Sequence, residues 1–405
     1  MYEHELLNQK AAQAIEKNAA LGKDINLNQY AHSSDEHQYL DNLSQVESTD
    51  AERFLDVGVD TKIDSPATFI QKDHSVVHCH SHQKGLDIMK FSQALKDIDG
   101  IDQYAWKGVA VDTDKYTAKV GLTPHDGYFI RAQAGVKTEQ PVQSCLYIAS
   151  DKISQNVHNL VIAEEDSDLK VITGCSTAPH LNTGLHIGVS EFYVKKNACL
   201  TFTMIHDWGK NVDVRPRTKV FVEEGGVFIS NYICLRPAGS LQMYPTITLQ
   251  GTGAIARMNS VIVSHPESHI DMGGRVILQA PQTRAEIISR AIASGGTIIA
   301  RGSLVGKAAE IRAHLECKGL ILNEGLMHAI PEIEGYVPGV EMSHEAAVGK
   351  IDPEEIEYLM ARGLDEETAV STIVRGFLNI DIQGLPTALQ ERIDSLIQET
   401  EKDMF

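Results

Sequence analysis

The sequence predicts a mainly β protein that carries helical segments at both ends. From about residue 107 to residue 330, runs of four to eight residues rich in β-branched side chains are separated by Gly, Asn, Asp and Pro. Amphipathic patterns of ten or more residues are hard to find between these runs. A Rossmann or βαβ layout needs a helix between strands, so this pattern argues against both.

The central region is typical of a β-solenoid, with a β-sandwich as the alternative. Turn residues recur at near-even spacing, and the Asn-Gly pairs of tight hairpins are not obvious. The region has no strict sequence repeat. Strands are predicted at residues 127–131, 142–149, 169–173, 191–195, 275–279, 286–290, 296–301 and 319–323.

The first hundred residues have a mixed, partly helical pattern. Residues 48–54 predict the start of one helix, and four apolar residues lie on one face of an earlier one: Leu6, Ala11, Ala14 and Ile15. The predicted division of the chain is a mixed or helical N-terminal region (1–105), a solenoid core (106–350) and a C-terminal helical domain (351–405).

Three helices are predicted in the last fifty residues. Asp352 is a suitable N-cap, because Pro353 and two glutamates follow it in the first helical turn. Asp365 caps a second helix, and a third helix follows Pro386. The helices either cap one end of the solenoid or form a docking module for another protein, and the residues alone leave both open.

Charge and composition limit the classes of function. The 405 residues include 36 basic and 55 acidic side chains, a net charge of −19. Such a surface repels nucleic acid and anionic membranes, so we expect neither as a partner. No stretch approaches the roughly 20 apolar residues of a membrane span. The first residues resemble no signal peptide. We therefore expect a cytoplasmic protein.

The six cysteines lie at positions 79, 145, 175, 199, 234 and 317, and none is within four residues of another. This spacing excludes zinc ribbons and ferredoxin-type cluster motifs. Cys145, Cys175, Cys199 and Cys234 recur at intervals typical of a solenoid repeat, so they could stack along one side as a sulfur relay. Buried small side chains are the more common explanation.

Cys317, His344 and Glu345 are the candidate metal ligands. Cys317 and Glu345 are 28 residues apart (345 − 317), within the 20–45 residues of a solenoid repeat. They can therefore lie on adjacent turns of the solenoid, near one another on one face. A thiolate with an imidazole or a carboxylate suits iron. One chain supplies too few soft ligands to hold a cluster, so we expect a second subunit to complete the site.

Two other motifs are weaker candidates. His74, His78, His80 and His82 are predicted to face one way on a strand, spaced too widely to bind one ion together, so a solvated polar face is favoured over a metal site. Residues 302–308 resemble a phosphate-binding loop, but the glycine spacing is one residue short and Ala308 lacks the hydroxyl group. We expect a turn there, and no ATPase site in this chain.

Several segments resemble the SufB/SufD family of iron–sulfur cluster assembly scaffolds, from about Tyr104 to the C-terminal helices. The segments Arg312–Leu322, around Cys317, and 343–351, with the His-Glu pair, occur together in that family. Further matches in the same order are 174–179, 185–186, 194–198, 203–208, 244–251 and 365–377.

The resemblance implies a right-handed parallel β-helix flanked by helical domains. It also implies a C-terminal domain that docks a SufC-like ABC ATPase, and an iron–sulfur cluster built between two β-helix subunits for transfer to apo-proteins. Cys317 and Glu345 match the SufB assembly cysteine and glutamate, and His344 matches the interfacial histidine of SufD. The chain thus resembles a short, archaeal-type member that acts as a homodimeric scaffold and leaves ATP hydrolysis to its partner. The cluster type, [4Fe–4S] included, stays open.

One departure from the family concerns sulfur. Ile247, after Thr246, stands where SufB carries the cysteine thought to accept sulfur, so free sulfide or another route must deliver it. Two alternatives to a cluster scaffold remain. A solenoid enzyme that acts on polysaccharide would need clustered carboxylates, and an aromatic content of 6% offers few residues for sugar stacking. The other is a structural, protein-binding solenoid.

Overall fold

The computed structural model of the protein describes residues 2–32, 34–181, 183–378 and 391. It is a parallel β-solenoid of about 8 turns with helices at its N- and C-termini. The predicted fold class is therefore confirmed. Each predicted strand overlaps an observed strand, and most observed strands are longer than predicted.

Two long sheets form the walls of the solenoid, and a rung is one crossing of each. The strands are β1 (Ala67–Lys72), β2 (Ser75–Ser81), β3 (Leu86–Lys90), β4 (Tyr128–Ala132), β5 (Val142–Ile148), β6 (Ile153–Ala163), β7 (Asp168–Thr177), β8 (Gly184–Val194), β9 (Cys199–Asp207), β10 (Val212–Val214), β11 (Arg217–Val222), β12 (Val227–Cys234), β13 (Ser240–Met243), β14 (Thr246–Leu249), β15 (Ile255–Ser264), β16 (His269–Leu278), β17 (Arg284–Ser294), β18 (Thr297–Gly306), β19 (Arg312–Leu322), β20 (Leu326–Gly335) and β21 (Glu341–Gly349). Sheet B follows the order β2, β1, β5, β7, β9, β12, β15, β17, β19, β21. Sheet A contains the other strands and ends at β18 and β20.

The helices surround this solenoid. They are α1 (Tyr2–Ala14), α2 (Ser48–Asp56), α3 (Phe91–Asp97), α4 (Lys115–Leu122), α5 (Pro353–Met360) and α6 (Glu366–Leu378), with short 3-10 helices at Leu27–Gln29, Leu43–Gln45 and Ile101–Gln103. None of the helices within the described ranges has the length and apolar composition to cross a membrane.

A turn after each strand of sheet A explains the punctuated sequence. Asp166, Asn197, Gly225 and Gly253 adopt positive φ at this turn in four successive rungs. The amide of each turn residue donates to a carbonyl of the next rung, as from Asn197 to Glu224 at 2.8 Å. Gly, Asn and Asp tolerate this conformation best. Gln282 and Glu310 adopt the same conformation at the turns after β16 and β18, so the sequence shows near-regular punctuation without a strict repeat.

The N-terminal region contributes strands as well as helices. β1 pairs in parallel with β5, and the antiparallel pairs β1–β2 and β3–β4 extend the two sheets. β1, β2 and β3 precede residue 106, so the walls of the solenoid start earlier than the sequence indicates. The domain division at residue 106 stays a prediction.

The C-terminal helices begin as predicted. The Asp352 carboxylate accepts from the amide of Glu354, and that of Asp365 accepts from the amide of Thr368. In α6, Val374 and Leu378 are buried against apolar side chains on the outer face of sheet B: Ile292, Leu320 and Leu322. The third predicted helix, after Pro386, lies outside the described residues except for residue 391.

Candidate functional site

Cys317 lies on the inner face of β19, with its side chain directed into the solenoid. The residue is only 1% exposed and packs in the main apolar core together with Leu315. Burial raises the pKa of the Cys317 thiol to about 11, the Glu316 carboxylate adds to the rise, and the Arg290 guanidinium opposes it. In the isolated chain the thiol is therefore protonated near neutral pH.

A line of hydroxyl groups leads to Cys317 along the inner face of sheet B. Tyr232, Ser260 and Ser289 lie in register with Cys317 on three successive strands. All three hydroxyl residues line an internal cavity of about 60 Å³. Ile247 also lines this cavity. An apolar side chain thus faces the interior where the resemblance places a sulfur-accepting thiol.

Glu345 lies on the strand next to Cys317 but on the opposite face of the sheet. Its register partner in β19 is Glu316, and the Glu345 carboxylate pairs with the Lys318 ammonium group at 3.2 Å. Glu316 also pairs with Arg290 and, at 3.5 Å, with Lys318. Glu345 therefore belongs to a charged network on the outside of the solenoid.

The sequence predicts that Cys317 and Glu345 lie on adjacent turns of the solenoid and on the same face. The first part is correct and the second is wrong. Paired residues of β19 and β21 differ by 29 positions (341 − 312), whereas Cys317 and Glu345 differ by 28. Successive side chains of a strand point to opposite faces. A difference of one residue therefore places Cys317 inside and Glu345 outside.

His344 shares the inner face with Cys317. Its register partner is Leu315, and Ala346 lies opposite Cys317. The Cα atoms of Cys317 and His344 are therefore about 8 Å apart, from roughly 4.8 Å across the strands and two steps of roughly 3.3 Å along them. His344 is nevertheless exposed, because β21 is the last strand of its sheet.

This end of the solenoid is open in the part of the chain that the structure describes. Within the described ranges, β21 pairs only with β19, and β20 only with β18. Both final strands carry exposed apolar side chains, including Leu326, Ile333 and Val348. An unpaired strand edge presents free backbone N–H and C=O groups to a further strand. The end next to Cys317 is therefore suited to contact with a second subunit.

The described residues of one chain do not form a metal site by themselves. No group of three or more His, Cys, Asp and Glu side chains among them is close enough to hold a metal ion. Cys317, His344 and Glu345 are ligands only by proposal. The completion of this set by a second subunit stays a prediction.

The prediction of a histidine-lined polar strand is wrong in part. His74 lies in the turn between β1 and β2 and stacks on His125 at 3.5 Å between ring centroids. His78 is buried, with its Nδ1 atom 2.9 Å from the carbonyl oxygen of Leu40. A register shift in β2 breaks the simple alternation. Only His80 and His82 remain exposed.

The four cysteines proposed as a relay do not form one line. Cys175 and Cys234 belong to the main core of the solenoid, and His206 is in register with both. Cys145 lies in a separate cluster on the outside of sheet B. Burial raises the pKa of both inner thiols, that of Cys234 to about 12. His206 falls in the 203–208 segment that resembles the family, and its position between the two thiols follows from the rung register.

The segment resembling a phosphate loop is not a turn, as predicted, but mostly strand. Residues 302–306 complete β18, and the turn comes only after Gly306. Gly302 and Gly306 allow close packing. A Cβ atom at Gly302 would clash with the Leu315 side chain, and one at Gly306 would clash with Ile311. These glycines therefore serve the packing of the last rungs.

Comparison with known proteins identifies related sequences. Residues 146–377 match the family model described as "SUF system FeS cluster assembly, SufBD core domain". An "Iron-sulfur cluster assembly SufBD family protein" of Archaeoglobus fulgidus is 49% identical over 358 residues, which is 88% of this chain and 96% of that protein. A protein of the same description from Methanothermobacter thermautotrophicus strain Delta H is 43% identical over 403 residues, 98% of each chain. The "Iron-sulfur cluster assembly protein SufB" of Bacillus subtilis is 31% identical over 321 residues, 78% of this chain and 69% of that protein.

Proposed function

Because this chain belongs to the SufBD family of iron–sulfur cluster assembly proteins, we propose that it is a scaffold on which a cluster is built and from which the cluster passes to apo-proteins. The position of Cys317 carries this proposal: a buried thiol one strand from the open end of the solenoid. Family membership also favours cluster assembly over the polysaccharide-acting and purely structural alternatives. The chain itself then has no enzymatic step, and the net charge of −19 suits a cytoplasmic protein without nucleic-acid or membrane partners.

Cys317 is the proposed soft ligand of the cluster iron. Cysteine binds iron as the thiolate, and the raised pKa keeps the free Cys317 thiol protonated. Iron binding must therefore displace this proton, and an iron-free site is held in an unreactive form. His344 is the proposed second ligand from the inner face. Glu345, which matches the SufB assembly glutamate, is the proposed third ligand, and its carboxylate is harder than the thiolate.

A homodimer formed through the open end supplies the missing ligands. Antiparallel pairing of β21 with the same strand of the second subunit would continue sheet B across a two-fold axis. This pairing would satisfy the free backbone N–H and C=O groups at the edge of both strands. Cys317 and His344 of both subunits would then face one shared interior. The exposed Ile333 and Val348 side chains at this end supply the apolar contact.

A SufC-like ABC ATPase is the proposed partner of the C-terminal helices. Tyr358 and Met360 on α5 are exposed by 59% and 43%. The buried face of α6 packs on the solenoid, so the exposed side of this helical pair is available for docking. Nucleotide-driven closure of two ATPase subunits would then act on both ends of the dimer interface.

Sulfur is proposed to arrive as free sulfide. Ile247 cannot carry a persulfide, and among the cavity-lining residues none is a cysteine.

The scaffold function is tested by anaerobic reconstitution of the full chain, with the co-produced ATPase, from Fe²⁺ and sulfide. A brown protein with equal amounts of iron and acid-labile sulfide supports the proposal, whereas a colourless protein contradicts it.

A further inference from the structure

The register of β21 decides which side chain faces Cys317. In the structure Ala346 lies opposite Cys317 on the inner face, and Glu345 lies one position earlier on the outer face. A slip of β21 by one residue toward its C-terminal end would place Glu345 opposite Cys317. Because side chains alternate, the same slip would turn Glu345 to the inner face and His344 to the outer face.

β21 is weakly held in its present register. In the single chain it pairs with β19 alone among the described strands, so the slip requires that the β21 pairing between two subunits is released first. From Ser343 to Gly349, every residue of β21 is exposed. On the outer face, three exposed or half-exposed side-chain contacts join β19 and β21: Lys318–Glu345, Arg312–Glu341 and His314–Ser343. Exposed pairs of this kind restrain register only slightly. On the inner face, Met342 is the side chain packed against the main core.

The neighbouring strand cannot move in the same way. β19 pairs with β17 over 11 residues and with β21 on its other side. Its inner side chains Ala313, Leu315 and Cys317 are all buried. A slip of β19 would turn these core residues to solvent and bring Glu316 into the core, at a large cost. The movement is thus confined to the last strand.

The connection to the helices gives the slip a direction. β21 ends at Gly349, and α5 begins at Pro353 after three residues. α6 is held on sheet B by Val374 and Leu378, whereas α5 has no buried residue. A pull on α5 directed away from Gly349 acts along β21 toward the C-terminal end of the strand. This is the direction that moves Glu345 into the position of Ala346.

We propose that β21 is a register switch that exchanges His344 for Glu345 beside Cys317, driven by the ATPase docked on the helices that follow it. The proposal rests on the proposed function and specifies its ligand set. In the present register Cys317 and His344 share the interior. In the slipped register a carboxylate joins the thiolate, which suits iron as a harder, anionic ligand. Return of the strand withdraws that ligand and weakens the hold on the completed cluster.

Cysteine cross-linking in the full chain tests the two registers. Directly opposite residues on neighbouring strands are about 5 Å apart between Cα atoms, within the range of a disulfide. The Ala346→Cys variant should therefore cross-link to Cys317 in the present register, and the Glu345→Cys variant only after the slip. The Ala347→Cys variant is the matched control, because residue 347 faces Cys317 in neither register. Each variant, bound to its ATPase, is oxidised with diamide with and without a non-hydrolysable ATP analogue, and the disulfide is mapped by mass spectrometry.

The expected result is a reciprocal change. The nucleotide analogue should raise the cross-link in Glu345→Cys at least tenfold above the Ala347→Cys level and lower that in Ala346→Cys. A Glu345→Cys yield that stays at the control level with nucleotide would overturn the switch, as would an Ala346→Cys variant that does not cross-link without it. The unsubstituted complex is reconstituted in parallel. If it builds clusters while Glu345→Cys never cross-links, the switch is wrong and the scaffold function stands; absence of clusters points to the scaffold function instead.

Discussion

Cys317 and Glu345 lie on neighbouring strands of one sheet and point to its opposite faces. The thiol is buried inside the solenoid, and the carboxylate pairs with Lys318 at 3.2 Å on the outside. Their separation of 28 residues falls one short of the register offset of 29. Both residues therefore serve one cluster only if a second subunit or a movement of β21 brings them together.

The stability contributed by the Cys317 thiol should depend on pH. Its pKa in the folded chain is about 11, above the 9.0 of a free thiol. The neutral form is favoured by folding, so this contribution is complete below about pH 8.5 and is lost as the pH rises toward 11. The loss is on the order of 2 kcal/mol at full deprotonation. Urea unfolding of the protein and of Cys317→Ala between pH 7.5 and 10.5 measures it. The stability gap between the two should narrow with rising pH; a constant gap would contradict the raised pKa.

Glu345→Gln should weaken cluster formation without weakening the fold. The carboxylate is exposed, and its pair with Lys318 contributes no more than about 1 kcal/mol to stability. We expect a shift of the melting temperature below roughly 2 °C and a lower iron content after reconstitution. Glu341→Gln is the matched control, because Glu341 forms a similar exposed pair with Arg312 on the same strand pair. Equal iron contents in the two variants would remove Glu345 from the ligand set.

The open end should be the dimer interface. Val348→Asp and Ile333→Asp place charges on exposed apolar positions of the last strands, where an apolar contact between subunits would bury them. Light scattering of the unsubstituted chain should give twice the mass of 44.5 kDa, and each variant should give the monomer mass. Leu95→Asp, at an exposed apolar position in α3, is the control. Dimers that persist in both end variants would place the interface elsewhere.

The exposed face of α5 should carry the contact with the ATPase. Tyr358→Ala and Met360→Ala remove side chains that the solenoid does not cover, so the melting temperature should change little. Binding in a pull-down with the cognate ATPase should fall at least tenfold in the double variant. A chain truncated after Lys350 should not bind at all. A soluble truncation that still retains the ATPase would refute docking on these helices.

Much of the fold could be predicted from the sequence, because local residue preferences specify it. Strand position follows from β-branched runs, and the stacked turns follow from Asp166, Asn197 and the equivalent glycines. The face on which Glu345 lies could not be predicted, since it depends on the length of the intervening turns to within one residue. The His206 position between Cys175 and Cys234 follows from the same long-range register. Which residues of neighbouring rungs lie opposite one another is thus determined by the topology and not by any local sequence pattern.

The iron and sulfide content of the Cys317→Ala variant shows whether Cys317 holds the cluster. The variant and its control, Cys234→Ala, are purified without oxygen as full chains with the ATPase and reconstituted with Fe²⁺ and sulfide. Both substitutions remove one buried thiol from the same core, so circular dichroism should show similar folds. We expect Cys317→Ala to retain less than a tenth of the iron and acid-labile sulfide of the unsubstituted protein, and Cys234→Ala to retain most of both. A Cys317→Ala protein with the full iron and sulfide content would contradict this expectation.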